Sequence, residues 1–503
     1  MEATTLYLTE YVSLYHEWST AYDAYLSARN IKKEKEWMEK TRQFYRWLAD
    51  SKRFAQLAES DSEELRALYI RMACFQINSE ELEELLNLEA QLLRMYLAAQ
   101  EKNQTIRQQL MGETNTYQRK AWWKESKEAG EAIAPILLRL KALRNQTVAR
   151  QGFDHYSAWS LAYLGLKEEE VALYLQQLKQ VTDPHYSNLK SELDKQLGKQ
   201  FDLRPEGIRF WHLDDLLGYS APPTYVDHSL YRFLQEDHII PLLQKTIQHF
   251  RLTGTKEKMV HFHPFEQRIS GAEECVVLGQ KESTPESLGR LLYDIGRNYV
   301  YAQLQPLSLM GKIRDLPIHH AWGICLEQLV YQRHWLKEVA QVSDEDLEPV
   351  TDEALLKQAQ FAHLMKLRYH LAVATFERDF YSQEDQDWHQ HWWDLVEMMQ
   401  FIPRPETYRG ADWAVSAWIG LEPNPSLEYL SGILLAMQLR EQAEQQPLFA
   451  PVTMQTIEKV TPLISQMYYP SFQKEEMETI LLRHWPKPEP KPAPKPRHAP
   501  AKS

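Results

Sequence analysis

The chain has 503 residues, 44% of them hydrophobic and 11% aromatic, enough to bury a large core, and its 17 glycines are too few for many tight hairpins. Its formal net charge of −13 argues against a general nucleic-acid binder, whose phosphate contacts need a basic face. The three cysteines, Cys74, Cys275 and Cys325, are widely spaced and spell neither a disulfide framework nor a zinc cluster.

Taken in chain order, the first ten residues have no basic stretch followed by an apolar run, so no signal peptide is expected. Nothing approaches about 18 uninterrupted apolar residues, so no membrane insertion is expected, and a cytoplasmic location is the default. Helical periodicity then dominates. Tyr11, Tyr15, Trp18, Tyr22 and Tyr25 fall on one helix face, as do Leu82, Leu85, Leu92 and Tyr96 in a Glu/Gln-rich stretch ending near Gln104. Both stripes read as core packing. Residues 130–180 read as two helices broken at Gly152, and 225–252 as another.

The segments Met259–His263 and Glu274–Leu278 are short, apolar and partly β-branched, and predict a small antiparallel ribbon. A helix follows, with Thr284 as N-cap and Pro285 at its first position. Further helices are expected over 322–400 and 427–445. Residues 486–503 alternate proline with mostly basic residues, so neither helix nor ladder is open to them. They read as a disordered, extended Pro/Lys-rich tail, either a spacer or a docking peptide for another protein.

Several segments together carry a family likeness. They are Leu143-Arg144-Asn145 with Gly152-Phe153, the Trp211-His212-Leu213-Asp214-Asp215 turn, and Phe376-Glu377-Arg378-Asp379 through Asp385-Gln386-Asp387. Trp392-Trp393-Asp394-Leu395-Val396-Glu397, Arg404-Pro405-Glu406, Asp412-Trp413-Ala414 and Tyr429-Leu430 through Leu439 continue the series. In this order they resemble the angiotensin-converting-enzyme-type peptidyl-dipeptidases, especially the bacterial type. The likeness to the thimet-oligopeptidase and oligoendopeptidase group of gluzincin zinc metallopeptidases is looser. It is clearest over residues 130–445. Residues 1–110 agree only in helical character, as a lid-like portion of one peptidase-like unit spanning 1–485. The resemblance implies a mainly α fold: a large helical ellipsoid of two halves around a deep peptide channel, with a small β element near the former active site.

Where such an enzyme carries His-Glu-x-Gly-His, this chain reads Tyr293-Asp294-Ile295-Gly296-Arg297. Catalytic zinc takes two imidazoles one helical turn apart, a third protein ligand and a water that a neighbouring carboxylate deprotonates. Tyr293 and Arg297 stand at the imidazole positions. A tyrosine is a poor zinc ligand unless ionised, and arginine has no lone pair to offer. Set about 4 Å from a dication at an effective dielectric near 20, Arg297 costs roughly 8 kcal/mol. Asp294 stands at the general-base position, one methylene shorter than a glutamate. Aligned on the family's His-Glu-Ala, Pro317-Ile318-His319-His320-Ala321 puts His320 at the third-ligand position. On the substrate side Trp418 falls at the family's oxyanion histidine and Pro425-Ser426 at its tyrosine pair, while Tyr429 keeps its type. Ligands, base and oxyanion donors are all altered together.

The expectation is a catalytically inactive peptidase homologue from which zinc is lost, with no cofactor. It acts by binding a peptide or protein partner in a channel lined by Tyr429 and Trp322. In the core of the site, Arg297 either takes the volume of the metal and pairs with Asp294 or another carboxylate, or points into a hydrated channel. Two alternatives stand beside this reading: an active hydrolase with a relocated metal on His319, His320 or the His261/His263 pair, and a structural subunit with a closed channel. His389 and His391 read as surface or packing residues. No nucleophile elbow is present, and Leu252-Thr253-Gly254-Thr255-Lys256 is too short for a phosphate loop.

Overall fold

Helices follow one another through most of the described residues because apolar residues recur at three- and four-residue spacing, several of them from capped starts. The computed structural model describes residues 2–60, 62–222, 224–234, 236–252, 260–262, 277–279, 284–304, 316–417, 419–421, 424–464, 466–467 and 469–486. The fold is mainly α. Its first part comprises α1 (Glu2–Ala28), α2 (Ile31–Leu48), α3 (Ser51–Leu57), α4 (Glu63–Ala73), α5 (Ser79–Leu110), α6 (Thr116–Lys127) and α7 (Ala129–Ala149). The middle holds α8 (Tyr156–Leu164), α9 (Glu168–Phe201), α10 (Glu236–His249), α11 (Pro285–Gln303) and α12 (Pro317–Glu327). The last part contains α13 (Arg333–Glu338), α14 (Asp344–Leu347), α15 (Asp352–Ser382), α16 (Trp388–Gln400), α17 (Asp412–Ser416), α18 (Pro425–Glu444), α19 (Met454–Ile464) and α20 (Lys474–His484).

The starts have local causes. Asn78 caps α5 in a capping box with Glu81, and Thr284 caps α11 with Pro285 next to it, so orphan amides are met by side chains. The chain breaks at Gly152 as expected, and again at Gly165, whose φ of +73° closes α8 in the left-handed region. Residues 130–180 therefore fall in three helices rather than two, the third running on to Phe201. Of the ribbon expected near 259–278, the described parts are Val260–Phe262 and Val277–Gly279, and they pair in parallel, not antiparallel. An antiparallel pair can close through a tight hairpin, whereas a parallel pair cannot.

One contiguous apolar cluster runs from Leu8 in α1 to Trp485 after α20, so the first 110 residues share the core of the rest. A second, small cluster (Ala21, Tyr25, Leu26, Trp37, Ala90, Leu93 and Leu97) fastens α1 and α2 onto α5. Glycines let the helices approach closely where α11, α12 and α18 meet. A Cβ on Gly296 would stand 2.8 Å from the Trp322 carbonyl oxygen, one on Gly323 2.7 Å from the Tyr293 ring, and one on Gly432 2.3 Å from His320 Cβ. Gly296 is thus required by helix contact. No helix among the described residues is long and apolar enough to cross a membrane.

Candidate functional site

α11 carries its apolar residues Leu288, Leu291, Leu292, Ile295 and Val300 into the core. Its polar residues Arg290, Tyr293, Asp294, Arg297 and Asn298 recur at the same helical spacing on another face, and that face lines a cavity of about 340 Å³. The size is that of a small-ligand cleft. The glycine contacts hold α12 and α18 against α11. α18 brings Ser426 and Tyr429 to the cavity, and α15 brings Lys366, Tyr369 and His370. Across from them stand Trp18 and Tyr22 of α1, Trp37 and Tyr45 of α2, and a row of polar residues on α5.

At the centre, the Tyr293 hydroxyl and His320 Nδ1 share a hydrogen bond of 2.5 Å across 27 residues of sequence. His320 is fully buried, and its ring meets the Tyr429 ring edge-on at 6.4 Å. Arg297 is buried as well and pairs with Asp294 at 3.3 Å. His370 stacks on Tyr429 at 4.2 Å and hydrogen-bonds to the Ser426 hydroxyl at 3.0 Å. Lys366 forms an ion pair with Glu327 and lies 6.0 Å from the ring centres of both Tyr293 and Tyr429, within cation–π range. Burial works against its charge, but Glu327 and Tyr219 outweigh that and leave its pKa raised. Lys127, on the opposite wall, donates to the Leu216 carbonyl at 3.0 Å and to Ser416 Oγ at 3.1 Å, and burial lowers it to about 8.

These residues do not fit a zinc ion. The positions one helical turn apart on α11 present a phenol already engaged with His320 and a guanidinium that stays charged. Among the described residues, no group of three or more His, Cys, Asp or Glu is placed to hold a metal.

Of the residues singled out from sequence, Tyr293, Asp294, Arg297, Ser426 and Tyr429 line the cavity, and His320 stands behind Tyr293. Trp322 is a correction. It is fully buried near Tyr299, with ring centres 6.4 Å apart, and lines no part of the cavity. Trp418, His263 and residues 487–503 lie outside the described residues, and of His261 only the strand pairing is described. His319 accepts from the Leu316 amide at 2.9 Å and packs on Tyr301, so it caps α12. His389 and His391 hold Gly410 and Asp379. Trp18 and Tyr22, read as core alone, also line the cavity. Sequence reasoning missed His370, Lys366, Arg290 and the polar row on α5. That row had a signal, since Gln100, Asn103 and Arg107 extend the buried stripe of Leu82, Leu85, Leu86, Leu93 and Tyr96 in phase.

A smaller cavity of about 180 Å³ adjoins the first and shares Arg107, Tyr219, Arg290 and Lys366 with it. Asp214, Asp215, Glu286 and Glu327 lie on its walls, and burial raises the Glu286 carboxyl to about 7.

No family model and no curated protein matches this chain.

Proposed function

We propose that this chain is a catalytically inactive relative of the angiotensin-converting-enzyme-type peptidyl-dipeptidases that binds extended peptides in the cavity beside α11. What supports the reading most is the convergence of four positions the resemblance marks. Tyr293, Asp294 and Arg297 on α11 line one wall of the cavity and His320 on α12 stands behind Tyr293, joined by the Tyr293–His320 hydrogen bond and the Arg297–Asp294 pair. Side chains that would bind and activate a metal-bound water are replaced there by groups that satisfy one another. Peptide contacts remain open to Tyr429, His370 and the facing α5 wall.

The purified full chain, supplemented with zinc and desalted, is incubated with a random peptide mixture. Metal content is measured by plasma mass spectrometry, and bound and free peptides by mass. The expected result is well below one metal per chain, with peptides retained at unchanged mass. One tightly held zinc per chain with new cleavage products overturns the reading.

A further inference from the structure

Ser426 and His370 make a pairing that peptide binding does not need. Both line the main cavity, and the Ser426 hydroxyl oxygen stands 3.0 Å from His370 Nδ1. A serine hydroxyl is a weak nucleophile by itself and is activated when an adjacent base takes its proton. A neutral imidazole with its proton on Nε2 offers Nδ1 as that base. Packing fixes the ring. It stacks on Tyr429 at 4.2 Å, and the rings of Tyr369 and Tyr219 meet it edge-on at 5.4 and 5.7 Å.

The backbone around Ser426 adds a second, independent feature. Ser426 is the second residue of α18, a 20-residue helix, and follows Pro425 and the left-handed Asn424 with its φ of +55°. An asparagine at this position commonly caps the helix through its side chain. Here the Asn424 side chain donates to Ser160 Oγ instead, and its backbone N–H donates to Glu377 at 3.0 Å. No side chain caps α18. The Ser426 and Leu427 amides, too early in the helix for an intrahelical acceptor, are left as donors in the same turn as the hydroxyl. Amide donors at a helix N-terminus favour negative charge, and an oxyanion is the charge that forms when a serine adds to a carbonyl.

We propose that Ser426 and His370 are a nucleophile–base pair that hydrolyses small carboxylic esters in the cavity without a metal. Ser426 Oγ gives its proton to His370 Nδ1 as it bonds to the carbonyl carbon. The bond from that carbon to the alkoxy oxygen then breaks, and the alcohol leaves with the proton from His370. Water, deprotonated by His370 in turn, attacks the acyl-serine, releases the carboxylic acid and restores the hydroxyl. Esters are the substrate class because an alcohol is a far better leaving group than the amine of a peptide bond. The proposal goes beyond the reading above, which concerns the lost metal-dependent cleavage of peptides, and does not rest on it.

The test treats the full chain, in the presence of EDTA, with a fluorophosphonate that phosphonylates activated serines, and locates adducts by peptide mass mapping. Hydrolysis of p-nitrophenyl acetate is followed alongside. Ser426 is expected to carry the adduct ahead of every other serine. Ser426→Ala and His370→Gln, each checked by thermal melting for an intact fold, are expected to lower kcat/KM about a hundredfold or more, the scale of general-base catalysis. The unsubstituted chain decides even where a variant fails to fold, because no adduct at Ser426 overturns the proposal. Ester hydrolysis that Ser426→Ala leaves unchanged overturns it too. Either failure leaves the peptide-binding reading standing.

Discussion

Glu377 shows how one residue of a family-like motif acts structurally in this fold. It is 2% exposed on α15, and its Oε1 accepts the Asn424 amide at 3.0 Å, fixing the turn that starts α18. Burial raises its carboxyl to about 7, above the ordinary value of 4.5. A carboxyl raised in the folded state favours folding below its unfolded pKa, and that contribution is lost as pH rises through the folded pKa. A shift of this size is worth on the order of 3 kcal/mol between those limits. Glu377→Gln keeps the acceptor and cannot ionise. It should melt close to the unsubstituted chain at pH 5 and several degrees above it at pH 8. A melting difference that does not change between the two pH values would show that the carboxyl is already ionised in the folded state. The glutamate of the Phe-Glu-Arg-Asp string thus has a physical reason to be there apart from any catalysis.

At the scale of elements, the site depends on three helices meeting at glycines. Gly432→Ala places a methyl 2.3 Å from His320 Cβ, so α18 or α12 has to shift. Overpacking of this kind costs about 1–3 kcal/mol. Gly207→Ala is the control, because its nearest neighbour, Leu203 Cβ, stands at 3.8 Å. Urea denaturation should show a clear loss for the first substitution and little for the second; equal midpoints would mean that the helix junction has slack. Much of this level was legible beforehand. The start of α11 followed from Thr284-Pro285, the break after α7 from Gly152, and the shared face of Tyr293 and Arg297 from their spacing. The misplacement of Trp322 has a physical cause. From Pro317 to Leu326 every residue of α12 is buried, so no amphipathic contrast marked which face meets the cavity. The α5 row escaped for the opposite reason, since the helical period persists past Tyr96 while the residue type along it turns polar. The pairing of His320 with Tyr293 joins residues from separate helices and has no local trace.

At the scale of the whole molecule, stability is unevenly distributed. α11, α12 and α18 are enclosed by the main core, whereas α1 and α2 lie at the edge, with Leu6 and Ile31 exposed and part of their hold on α5 resting on the small second cluster. Native-state hydrogen exchange should therefore find the slowest amides in α11, α12 and α18 and clearly faster ones in α1 and α2. Equal protection throughout would mean that the two clusters open as one. The glycine junction has a last consequence. Gly296 meets the α12 backbone, and Gly432 meets a Cβ that every residue but glycine possesses. The spatial addresses of positions 293, 297 and 320 are therefore written largely in main-chain contacts, independent of which functional groups occupy them. The junction works as a fixed coordinate frame, in which side chains can be exchanged for others of unlike chemistry while the points they project from stay put.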